Sequence, residues 1–118
     1  MQLDRDINKD GKGKYALVRL RNIQPGDEAF DCLKKLEKLG YLDWGVVGQP
    51  DEFFVIKLRD KFSDAALCAY AEAVHRDYGK AREAQDEEKA ASLLQYATAV
   101  MAMAARAGIK SLFCKEPD

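Results

Sequence analysis

Hydrophobic and polar positions along this chain follow two periods. Lys14 to Asn22 and Glu52 to Arg59 are short, rich in aliphatic and aromatic residues, and partly alternating, so both read as strands. The two echo each other. Tyr15-Ala16-Leu17-Val18-Arg19-Leu20-Arg21-Asn22 overlays Phe53-Phe54-Val55-Ile56-Lys57-Leu58-Arg59-Asp60 without a gap, each running aromatic, any, aliphatic, aliphatic, basic, Leu, Arg, Asx. Elsewhere the spacing is helical. From Asp27 to Leu39, Phe30, Leu33, Leu36 and Leu39 share one side and Lys34, Lys35 and Lys38 lie largely on the other, with acids in the first turn and Gly40 as the stop. A second helix begins after Ser63, which is expected to be its N-cap, carries Ala66, Leu67, Tyr70, Ala71 and Val74 at helical spacing, and ends at Gly79. After a charged stretch from Lys80 to Lys89, a third runs to Ala107 and stops at Gly108.

Tyr41 to Val47 supplies a middle strand, joined to the next by Gly48-Gln49-Pro50-Asp51. The order β-α-β-β-α-α predicts an α+β fold: a small three-stranded sheet with helices on one face and a C-terminal helical hairpin. Residues 1–118 are expected to form a single domain, preceded by a polar, turn-rich segment at 1–13 and closed by a tail at 109–118 that holds Leu112, Phe113 and Cys114.

Period two then assigns faces. Ala16, Val18 and Leu20 with Phe54, Ile56 and Leu58 are expected to point towards the helices. Tyr15, Arg19, Arg21, Phe53, Lys57 and Arg59 are left on the outer face, where aromatic rings at one end and basic groups at the other suit a nucleotide or single-stranded nucleic acid. The simpler reading is a half-exposed sheet face whose Arg and Lys act as solubilisers, or one covered by another protein chain. The third helix carries two adjacent apolar stripes: Ala90, Leu94, Ala97, Met101 and Ala104 beside Leu93, Tyr96, Val100, Met103 and Ala107. One stripe docks a helix on its own domain. The second implies either deep burial or a further partner surface, and the expected partner is another copy, a homo-oligomer with Leu93, Tyr96, Val100 and Met103 at the interface. The basic first helix and the hairpin after it also have the look of a winged-helix DNA reader, although that fold needs two helices upstream.

Candidate chemistry adds little. Asp6, Asn8, Asp10 and Gly11 match the first half of a calcium loop, but Leu17 stands where the closing acid belongs, so a turn into the first strand is the simpler reading. His75, the one histidine, has no metal-ligand spacing around it, and Glu83, Asp86, Glu87 and Glu88 read as a solvated helix start. Neither a cofactor nor an enzymatic activity is expected. Nineteen basic against twenty acidic side chains give a net charge of -1, so any affinity for nucleic acid rests on a local patch. Three scattered cysteines and a polar start predict a reduced, cytoplasmic protein, and no apolar run reaches the roughly twenty residues that cross a bilayer.

Three stretches, Asn8-Lys9-Asp10-Gly11-Lys12-Gly13-Lys14-Tyr15-Ala16-Leu17, Pro50-Asp51-Glu52-Phe53-Phe54-Val55-Ile56-Lys57-Leu58 and Phe113-Cys114-Lys115-Glu116-Pro117-Asp118, resemble a family of small bacteriophage proteins. The resemblance brings no catalytic residues. It implies a setting, the cytosol of an infected cell, and a role: binding and modulating a host protein, a component of a defence system being one such target.

Overall fold

The computed structural model describes residues 10–110, and its architecture is all-helical. Three helices follow one another: α1 (Glu28–Lys38), α2 (Ser63–Glu83) and α3 (Glu87–Lys110). The chain divides into two compact units, one comprising Ala16–Val55 and the other the remainder.

The expected three-stranded sheet is absent. Among the described residues the stretches 15–20, 41–46 and 52–57 carry no ladder, a lone bridge position at Asp60 aside. Most residues assigned to the inner sheet face are open: Phe54 is 86% exposed, Val18, Leu20 and Ile56 are exposed too, and only Leu58 of the larger ones is half-buried. The physical reason lies in the helices. A short sheet is stable only when one face is buried against something, and here α2 and α3 bury their apolar seams in each other.

That pairing follows from heptad spacing. Buried positions on α3 are Ala90, Leu93, Ala97, Val100, Ala104 and Ala107, in alternating steps of three and four. On α2 the same rhythm runs through Asp64, Leu67, Ala71, Val74, Tyr78 and Ala81, all buried or half-buried. The helices run antiparallel, with Ala81, Ala90 and Leu93 in one cluster against Val74 and Tyr78. Farther along, the Tyr70 and Tyr96 hydroxyls meet at 2.9 Å, and Asp64 lies beside Gly108. Six of the eight buried apolar residues in this unit are alanines, so backbones approach closely and each side chain contributes only about 0.8 kcal/mol.

The turn between the helices is three residues long. Asp86 N–H donates to the Ala81 carbonyl (2.9 Å) and Gln85 N–H to that of Arg82 (3.0 Å), a Schellman closure with Gln85 at φ 57°. Asp86 then caps α3, its carboxylate accepting the Lys89 N–H at 3.1 Å. At the other end of α2, Ser63 is the first helical residue and not the cap. It is fully buried, and its hydroxyl lies 2.9 Å from the Leu58 carbonyl and 2.7 Å from that of Asp60, tying the preceding loop to the helix.

In the other unit, Pro25-Gly26 makes a tight turn closed by Asp27 N–H to the Gln24 carbonyl, with Gly26 at φ 99°. Helix α1 buries only Leu33. It ends in a second Schellman closure, with Gly40 N–H donating to the Glu37 carbonyl and Tyr41 N–H to that of Leu36.

Candidate functional site

The six residues expected to share a basic and aromatic sheet face do not form one, because there is no sheet. All six are exposed, but Arg19, Arg21 and Phe53 belong to the Ala16–Val55 unit whereas Tyr15, Lys57 and Arg59 belong to the other. Lys14 holds its ammonium 5.5 Å from the Tyr15 ring centre. The wing expected after α1 is missing along with the sheet, and Lys34 lies over Phe30 with 5.1 Å between its ammonium and the ring centre.

Of the half-loop that hinted at calcium, Asp6 and Asn8 lie outside the described residues. Asp10 accepts the Lys12 N–H at 3.0 Å, the local bond of a turn, and Gly11 beside it takes φ 79°. Among the described residues no group of three or more His, Cys, Asp or Glu is placed to hold a metal ion. His75 stacks obliquely on Tyr78 at 5.2 Å. The Cys68 thiol lies 3.4 Å from an Asp64 carboxylate oxygen. That hydrogen bond, then partial burial, pushes its pKa up, away from a reactive thiolate.

The residues expected at an oligomer interface are placed differently from one another. Leu93 and Val100 lie inside the hairpin seam, whereas Tyr96 and Met103 flank it half-buried. The Tyr70 and Tyr96 rings meet edge to face at 6.1 Å. Beside them is an open cleft of about 340 Å³ that also takes in Arg76, Asp77 and Lys80.

Sequence periodicity passed over the most conspicuous surface. Between α1 and the end of its unit, residues 39–55 expose Leu39, Tyr41, Trp44, Val46, Val47, Phe53 and Phe54, with Tyr41 at 79% and Val47 at 83%. The segment is nonetheless held in shape. The Trp44 indole N–H donates to the Glu37 carboxylate, anchoring the loop to α1. Gly45 N–H donates to Asp43, and Gly48 N–H to the Glu52 carboxylate at 2.8 Å. Gly45, at φ 58°, packs so closely under the Phe53 ring that a side chain there would overlap it. The legible signal was the density of aromatic residues around Gly45 and Gly48, which strand alternation absorbed.

No helix among the described residues is long and apolar enough to cross a membrane. No protein-family model matches the chain, and neither a curated protein nor a solved structure matches it.

Proposed function

We propose that this protein works by binding another protein through the aromatic loop at residues 39–55. One observation supports the reading: large apolar side chains are exposed along residues 39–55, on a loop that its own hydrogen bonds keep in shape. Exposed apolar patches of this kind mark interaction sites. Trp and Tyr dominate the energetics of such sites, and a loop fixed beforehand loses little entropy on docking. The partner is a host protein that this chain modulates without chemistry of its own, the role that the likeness to small bacteriophage proteins implies. A component of a host defence system is one partner of that kind.

Trp44 is the one tryptophan and sits within the patch, so its emission reports docking directly. A partner recovered from host lysate and then purified is expected to shift that emission to the blue. Val47→Ser with Phe54→Ser is expected to weaken binding at least about tenfold while leaving helicity unchanged, a loss of about 1.4 kcal/mol or more. Equal affinity of the double variant for the same purified protein would remove this surface from the interaction.

A further inference from the structure

Helix α3 carries a second heptad seam that its own hairpin leaves uncovered. Ala91, Leu94, Thr98, Met101 and Ala105 repeat in steps of three and four. Leu94 is 41% and Met101 49% exposed, and Ala91, Thr98 and Ala105 are exposed as well. The Thr98 hydroxyl donates back to the Leu94 carbonyl at 2.8 Å, so this polar group needs nothing from outside its own helix. No charged residue occurs from Ala90 to Ala105.

We infer that this seam pairs with the same seam of a second copy, antiparallel about a two-fold axis between Thr98 and Met101, to give a four-helix bundle. The register is self-complementary. Laid against itself in reverse, the seam sets Leu94 opposite Ala105 and Thr98 opposite Met101, with each pair occurring twice as a two-fold interface requires. Each of these two layers sets a longer side chain, Leu94 or Met101, against a shorter one. The arrangement repeats what α2 and α3 do within one chain, where Ala81, Ala90 and Leu93 cluster against Val74 and Tyr78.

Charge agrees with an antiparallel arrangement. The first turn of α3 is acidic, with Glu87 and Glu88, and Arg106 lies towards its other end, so each copy's acidic end points the same way as the other's basic end and the helix dipoles oppose. Energetics supply the need. An alanine-dominated seam between two helices is a small core, and oligomerisation is a usual way for such a core to reach stability. This seam belongs to a different unit from the aromatic loop, and the inference does not depend on the role proposed for that loop.

Light scattering on the purified full chain tests the inference. The expected mass is about twice the 13.2 kDa of one chain, falling to a single chain for Leu94→Glu with Met101→Glu while the helical circular dichroism remains. A single-chain mass for the unaltered protein at micromolar concentration overturns it, as does a double variant that stays dimeric. Should the double variant lose its helicity, cysteines decide. With Cys32, Cys68 and Cys114 changed to Ser, copies bearing Thr98→Cys are expected to form a disulfide with copies bearing Met101→Cys. Copies bearing Tyr96→Cys and Met103→Cys are expected to form none. Cross-linking through Tyr96→Cys and Met103→Cys, or none through Thr98→Cys and Met101→Cys, overturns the pairing.

Discussion

Ser63 and Gln85 mark the two ends of α2, and each does work that its residue type conceals. Ser63 is fully buried, and its hydroxyl stands between the Leu58 and Asp60 carbonyls, which would lose a buried donor if the oxygen were removed. Ser63→Ala is therefore expected to cost about 1–3 kcal/mol, read as a lower urea midpoint at unchanged slope. Gln85 closes the α2 end in the left-handed region at φ 57°, where a Cβ is crowded. Glycine lacks that crowding but is freer in the unfolded chain, so part of the gain is lost. Gln85→Gly is expected to raise stability by up to about 1 kcal/mol, and a lowered thermal midpoint would show that the Gln85 side chain contributes more than its backbone costs.

At the scale of elements, all three helices were legible and their ends less so. Periodicity and the acidic first turn located α1 to within a residue at each end, because Gly40 supplies the left-handed closure that ends it. Gly79 misled for the complementary reason. It lies within α2, and the helix runs on to Glu83, where a non-glycine residue performs the closure. Strand propensity at Tyr15 to Asn22 and Phe53 to Arg59 misled more seriously. Propensity describes how a residue fits a half-buried pleat, and α2 and α3 spend their apolar faces on each other. The paired heptads were readable in principle. Ala90, Ala97 and Ala104 had been grouped with Leu94 and Met101, which lie on the neighbouring seam. Alanine is the discriminating residue here, since it keeps the helices close. Ala104→Leu is expected to force the hairpin apart at a cost of about 1–3 kcal/mol, measured by urea unfolding followed through helicity. The same change at exposed Ala102 is expected to move stability by less than about 0.5 kcal/mol.

At the scale of the whole molecule, burial is divided unequally. Among the described residues the hairpin unit holds eight buried apolar residues, whereas the Ala16–Val55 unit holds only Leu33. Trp44 belongs to the poorly buried unit, and most helical residues belong to the other. Two optical probes thus report on two different parts of one chain. Indole emission follows the aromatic loop and its bond to Glu37, and ellipticity follows α2 and α3. A segment with one buried anchor opens at lower free energy than a hairpin with a continuous seam, so the two transitions are expected to separate. Emission should change at the lower urea concentration, and amide exchange should be faster in 28–38 than in 90–104. Coincident transitions would mean that both units unfold as one cooperative body, with the aromatic loop as stable as the hairpin. The ordering matters for binding. A loop that opens before the hairpin can be lost to a destabilising change while α2 and α3 stay intact, so Glu37→Gln, which weakens the hold on Trp44, is expected to advance the emission transition alone and leave the ellipticity midpoint where it was.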